Sequence, residues 1–268
     1  MTLTVLTLNL SNPSHARAQK LVDWLAEQDT DVFVLTETKA SAGCAYIAEK
    51  YRSAGYCLVD SAPAAGEYGV LVASRVPLTP HTLPPSASYL SSRMVRAACP
   101  TRTGQLELCG VYAPATDPTR APTVEARERK RRWLEQLCET LGKADPPQLL
   151  VGDYNVFPRT DGSDTGYIQD FEYDFFDVLA SELDLYDCHR SVGEAGAFTW
   201  QHHSGARFRY DHTFASPAAL HQVTACEYLQ TPRELKLTDH AAMRTSFSVE
   251  PADRLEVTNL ATDTDTLF

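Results

Sequence analysis

An α/β fold is the class predicted for this chain of 268 residues, and three observations predict it. Short apolar runs of strand length recur from end to end, and helical spacing interrupts them at two places. Pro- and Gly-rich turns separate the runs. Strands and helices are interleaved rather than segregated, the pattern of sheets covered by helices. With no internal period and no linker visible, residues 1–249 are expected to form a single domain.

The elements follow in order. TLTVLTLNL is a β-rich alternation that puts Val5, Thr7 and Asn9 on one face and Leu6, Leu8 and Leu10 on the other. From His15 to Glu27, Ala18, Leu21, Val22 and Leu25 recur at three- and four-residue spacing, an amphipathic helix. DVFVLTE reads as a second strand, its apolar run ending at Glu37. Further strands are expected in YCLVD, YGVLVAS, MVRAA, QLELCGVYA, QLLVGDYN, RFRYDHTFAS and AAMRTSFSV. A second helix is expected from about Val124 to Leu141. After Val249 the chain turns acidic and threonine-rich, so 250–268 is expected to be a loosely held tail; docking of Leu255, Val257 and Leu260 is the alternative.

Hydrophobic residues at 43% and charged residues at 22% are globular values that argue against disorder or a fibrous repeat. Seven cysteines, scattered and never in a C-x-x-C pair, suggest neither a zinc site nor a disulfide framework. The N-terminal MTLTVLTLNL lacks the basic region of a signal peptide, and no apolar stretch is long enough to span a membrane. A soluble, cytoplasmic monomer without a membrane partner is expected. The net charge of −11 disfavours indiscriminate adhesion to nucleic acid. A bound divalent cation or a local basic patch can still reverse the sign of one cleft.

The stretch LLVGDYNVFP places an acid, an aromatic and an amide at the end of a buried-looking run. If the chain stays extended past Gly152, Asp153 and Asn155 share one face and Tyr154 takes the other. A plain turn is the competing reading, since Gly, Asp and Asn favour turns. Polar residues end other strand-like runs too: Asn9, Glu37, Tyr112, Asp211, and Asp239 with His240. Such strand ends would converge on one acidic rim, an oxygen-rich cage suited to Mg²⁺ or Mn²⁺. Chemistry on phosphate esters follows from a hard cation.

The strings LNL, LTETK, EYGVLVASR, GVYAP, GDYN, FTW, RYDHTFAS and TDHAA resemble, in order, the motifs of the endonuclease/exonuclease/phosphatase superfamily, over about residues 3–248. The ETK, GDxN, RxD and DH motifs look most like the exonuclease III and abasic-site endonuclease branch. The resemblance implies a DNase I-like four-layer sandwich, two mixed β-sheets packed face to face with helices outside. It implies Glu37 as principal metal ligand, helped by Asn9 and Asp239. Asp153 would activate the attacking water or protonate the leaving oxygen, and Asn155 would orient the water or a phosphate oxygen. Tyr112 would contact the phosphate or leaving group, and His240, oriented by Asp211, would meet charge on the phosphoryl oxygen. Lys39 is the implied substrate contact, and Phe208 is a candidate substrate contact for its aromatic surface. The implied activity is Mg²⁺-dependent phosphodiester hydrolysis, on DNA or, as the alternative, on a small phosphorylated metabolite or nucleotide.

The chain departs from the branch at two positions. Ser11 stands where many abasic-site endonucleases carry an acid, and Ala115 where that branch often has an amide that grips phosphate. In AGAFTWQHHSGARFRYD, Trp200 and Phe208 are the aromatics expected to offer surface to a sugar or base, with a core role the equal alternative for Trp200. ARERKRRW carries Arg127, Arg129, Lys130, Arg131 and Arg132 on a helix whose Leu134, Leu137 and Leu141 face the core. Most of these cations are expected outside, as a solvated face balanced by glutamates or as a phosphate-tracking patch.

Overall fold

The computed structural model describes residues 2–116, 121–143, 148–159, 168–194 and 196–261. Fourteen strands are present among them: β1 (Leu3–Asn9), β2 (Val32–Thr38), β3 (Cys57–Asp60), β4 (Gly69–Ser74), β5 (Thr79–His81), β6 (Met94–Thr101), β7 (Gly104–Tyr112), β8 (Leu149–Asp153), β9 (Tyr186–Asp187), β10 (Trp200–Gln201), β11 (Arg207–Phe208), β12 (Asp211–Ala215), β13 (Val223–Leu229) and β14 (Ala242–Phe247). The helices are α1 (His15–Ala26), α2 (Ala42–Ser53), α3 (Val124–Lys143), α4 (Asp170–Ser181) and three short ones, α5 (Cys188–Val192), α6 (Pro217–Leu220) and α7 (Thr231–Glu234).

Two six-stranded sheets result, ordered β13-β14-β1-β2-β4-β3 and β5-β6-β7-β8-β12-β9, with β10-β11 as a separate hairpin. In each sheet the third and fourth strands are parallel, β1 with β2 and β7 with β8, and every other neighbour is antiparallel. Each parallel pair is joined by a helical crossover, α1 in one sheet and α3 in the other. The two halves therefore repeat one topology that no sequence period announces.

Period-two alternation decides which residues lie between the sheets. Val5, Val34, Val72, Val95, Leu108 and Val151 form the core between them. The opposite face of the first sheet, with Leu6, Leu8, Phe33 and Leu35, packs on Leu21, Leu25 and Ile47 of α1 and α2. Cys109, Val111 and Leu150 of the second sheet pack on Trp133, Leu137 and Leu179 of α3 and α4. The expected four layers are all present. Helix starts are set locally: Ser14 and Ser41 accept the Arg17 and Cys44 N–H groups, capping α1 and α2.

The segment after Val249 departs from the expected loose tail. Pro251 bridges Thr101, Arg254 pairs with the buried Asp31, and Leu260, 2% exposed, enters the core under α1 and α2. Residues 250–261 thus strap both sheets, and 262–268 of the expected tail lie outside the described residues. Of the three residues whose docking was the alternative, Leu260 is buried and supplies the apolar anchor.

No helix of the described residues is long and apolar enough to cross a membrane. All seven cysteines are free.

Candidate active site

Asn9, Thr38, Tyr112 and Asp153 end β1, β2, β7 and β8, while Asp211 begins β12. Parallel pairing sets Tyr112 beside Asp153, and antiparallel pairing sets Asp211 opposite the same residue. The sheet register alone thus delivers three of the expected residues to one rim. Gly152 is required for it: at φ +148 a Cβ would lie 1.9 Å from the Val111 carbonyl oxygen.

GDYN follows the turn reading, not the extended one, although Asp153 and Asn155 still meet through hydrogen bonds. The strand stops at Asp153, whose Oδ1 accepts the Asn155 N–H at 2.8 Å, an Asx turn with Asn155 at φ +50. Asn155 Nδ2 donates to Asp153 Oδ2 at 3.3 Å and to Ala113 O at 3.0 Å. Tyr154 turns the other way, fully buried, with its hydroxyl on Leu150 O at 2.9 Å. Asn9 Nδ2 donates to Asp153 Oδ2 at 2.8 Å, so the Asp153 carboxylate is gripped from both sheets. Burial first, and the Asp211 carboxylate next, push its pKa up.

Glu37 reaches the rim through a bulge. The register with β4 jumps from Thr36↔Val70 to Thr38↔Gly69, and Glu37 adopts φ +56. Its Oε1 accepts the Tyr112 hydroxyl proton at 2.7 Å. Burial raises its pKa against that hydrogen bond, and the Asp239 carboxylate adds to the rise. The hydroxyl proton of Tyr112, expected to serve phosphate, is spent on Glu37.

Asp239 and His240 are neighbours that serve one rim because they lie on an irregular turn after α7 rather than on a regular strand. His240 forms an isolated bridge with Trp200. His240 Nδ1 meets Asp211 Oδ2 at 2.8 Å, the expected pair. Burial pulls the imidazole pKa down, but Asp211 outweighs it and raises it to about 10. Asp239 accepts the Trp200 indole N–H at 2.9 Å, and Thr238 Oγ1 donates to Asn9 O at 2.7 Å. Burial alone would raise the Asp239 pKa; His240 and the indole N–H bring it below the ordinary value.

Asn9 is less free than expected of a ligand, since its Oδ1 accepts the Ser11 N–H at 2.8 Å and keeps one lone pair. Among the described residues, Asp153, Asp211 and His240 bring one ligand atom each within 4.8 Å and could hold a metal ion. His240 Nδ1 is already committed to Asp211 there. Glu37 and Asp239 offer carboxylates that no cationic side chain among the described residues hydrogen-bonds, a better fit to a hard divalent cation.

Two expectations are corrected. Phe208 is 5% exposed, its ring stacked on Phe157 at 4.7 Å, so it is core and offers little surface to a substrate. Lys130 is not an outer cation: it is fully buried behind Asn155. Lys39 stays beside the rim, its Nζ 3.8 Å from the centroid of the Tyr68 ring. Sequence reasoning missed Trp200 and Thr238 as supports of Asp239 and Asn9, because nothing in their spacing reveals a contact made across the cleft. It missed Arg93, buried against the Tyr112 ring at 4.6 Å, for the same reason.

Two interlocked sheets with acids, amides and a His–Asp pair at their shared rim define a hydrolytic site on a DNase I-like sandwich. The sequence profile of the Endonuclease/Exonuclease/phosphatase family matches residues 6–240, and the chain belongs to that family. It is a phosphoric ester hydrolase. Among solved structures, an AP endonuclease from Archaeoglobus fulgidus superposes with a TM-score of 0.76 at 22% identity, over 92% of this chain and 100% of that one. A 3' phosphatase, NExo from Neisseria, bound to a product DNA hairpin, gives 0.76 at 23%, over 91% and 99%. The catalytic domain of APE2 from Xenopus laevis gives 0.70 at 16%, over 97% and 99%. At these identities the likeness establishes a shared fold. No curated protein matches the chain by sequence.

Proposed function

We propose that the protein is a divalent-metal-dependent phosphodiesterase acting on DNA, of the exonuclease III or abasic-site endonuclease kind. The observation that carries the reading is the single rim where Glu37 and Asp239 face the Asn9–Asp153 link and the His240–Asp211 pair. Structural neighbours support DNA as the substrate: an AP endonuclease and a 3' phosphatase bound to a DNA hairpin share the sandwich.

Glu37 and Asp239, with the remaining lone pair of Asn9 Oδ1, would hold Mg²⁺ or Mn²⁺. Bound there, the cation supplies charge neutralisation at the phosphoryl oxygens. Asp153, held by Asn9 and Asn155, takes the proton of the attacking water; its raised pKa suits a general base near neutral pH. His240 keeps its proton through Asp211 and donates from Nε2 to a phosphoryl oxygen. Tyr112 fixes Glu37 from the side. Lys39 supplies a cation at the mouth.

A second reading, hydrolysis of a small phosphorylated metabolite, is favoured by the burial of Phe208 and by the net charge of −11. Purified protein with Mg²⁺, tested on abasic duplex, single-stranded DNA, RNA, nucleotides and a generic phosphodiester, separates the two. Turnover of DNA substrates supports the first reading. Turnover confined to small phosphates overturns it and leaves the same site assigned.

A further inference from the structure

Behind the rim lies an ammonium group with no surface at all. Lys130 on α3 is 0% exposed, and its three protons have three acceptors: Asn155 O at 2.6 Å, Thr116 Oγ1 at 3.1 Å and Glu172 Oε1. Glu172, 1% exposed, is equally committed. Its Oε2 accepts the Gln169 N–H at 2.9 Å and closes the capping box of α4. One cation thus ties together the loop after β7, the turn after β8 and the start of α4.

A buried ion pair is weak evidence for stability, because well-packed apolar side chains of the same volume commonly replace it without loss. The third contact gives this charge a different purpose. Asn155 stands in the left-handed region at φ +50, a conformation that persists where its surroundings over-determine it. In that conformation its N–H reaches Asp153 Oδ1 while its Nδ2 reaches both Asp153 Oδ2 and Ala113 O. The Asn155 carbonyl is the backbone handle that follows, and Lys130 holds it.

We propose that Lys130 is a positioning residue for hydrolysis, clamping the Asn155 carbonyl so that the Asx turn keeps the Asp153 carboxylate aimed into the cleft. The proposal rests on the reading of this rim as the hydrolytic site. Without the clamp, residue 155 relaxes toward the right-handed backbone and its two contacts with Asp153 are lost together. Thr116 carries the same restraint to the loop that follows Tyr112.

The test uses the neutral pair Lys130→Met with Glu172→Gln, which removes both charges at once and leaves an amide oxygen to accept the Gln169 N–H. Three quantities are read: the melting temperature, the exchange rate of the Asn155 amide, and kcat and KM on bis(p-nitrophenyl) phosphate with Mn²⁺. Expected are a melting temperature near wild type, faster exchange at the Asn155 amide than in the surrounding strands, and a kcat lower by about 10- to 100-fold with KM little changed. A folded neutral pair with wild-type exchange at Asn155 and wild-type kcat would show the ion pair to be structural only and overturn the proposal. Should the neutral pair not fold, Lys130→Gln takes its place with the same two outcomes. If the wild-type protein hydrolyses no phosphodiester, the functional reading fails on its own, and amide exchange at Asn155 still decides the positioning role.

Discussion

Asn9 Nδ2 and Asp153 Oδ2 meet at 2.8 Å across the seam between the two sheets, so the proposed base is oriented from a strand it does not belong to. The reactive carboxylate is therefore sensitive to how the sheets are packed. Asp153→Asn keeps the shape of the contact and removes the proton acceptor. Its rate should fall at least ~10²-fold, the scale of a lost acid/base group, with thermal unfolding near wild type. Near-normal turnover would end the assignment of Asp153.

The His240–Asp211 pair makes a separate prediction. Asp211→Asn leaves His240 without its anionic acceptor, and the rate should fall by about 10²-fold or more. Substrate affinity should change little if the pair acts on developing charge. A variant that loses only affinity would move His240 from chemistry to binding.

Metal binding is readable without turnover. Glu37→Gln should weaken Mn²⁺ binding, followed by electron paramagnetic resonance, by about tenfold or more, and chelator should abolish hydrolysis by the wild-type protein. Unchanged Mn²⁺ affinity in the variant would place the cation elsewhere, with the Asp153, Asp211 and His240 cluster next in line.

Salt discriminates the two substrate classes. A DNA enzyme releases a counterion for each phosphate it neutralises, so its binding should weaken steeply as salt rises. Lys130 is buried, whereas Arg129, Arg131 and Arg132 of α3 are exposed. Neutralising those three should flatten the salt slope for DNA and leave hydrolysis of a small phosphodiester intact. A slope unchanged by the triple variant would make the helix face a solvated surface.

The C-terminal strap carries a pH signature. Burial raises the Asp31 pKa, but Arg254 and Arg75 outweigh it and hold the carboxyl below its ordinary value. A depressed folded pKa contributes stability above the unfolded value of about 3.9 and loses it as pH falls through the lower folded value. Arg254→Ala should therefore cost about 1–2 kcal/mol near neutrality and less at acid pH. Urea unfolding at both conditions measures it, and an equal cost at both would exclude Asp31 as the cause.

The strands that line the inter-sheet core were legible because Val5, Val34 and Val151 alternate with polar or helix-facing neighbours. Less legible were α2 and α4. The first is built on alanines and tyrosines and the second on aromatic residues, and neither shows the aliphatic stripe by which a helix is read. β13 is an edge strand whose side chains are exposed or half-buried except Cys226, so its alternation was too weak to see. Every expected rim residue except Phe208 lies at or beside the rim, since motif order follows strand order. What the sequence hid were contacts between distant segments: the bulge that swings Glu37 inward, the indole that holds Asp239, and the ammonium under Asn155.

The order of the first sheet has a consequence for the growing chain. β1 has β2 on one side, available once residue 38 exists, but its other edge is closed only by β14, residues 242–247. Until then β1 offers an unpaired row of peptide groups, the kind of edge that invites pairing with a foreign strand. Asp239 and His240 arrive in that same late stretch, just ahead of β14. Completion of the sheet and completion of the rim are thus one event, and a nascent chain lacking this stretch has an open edge and a rim without Asp239 and His240.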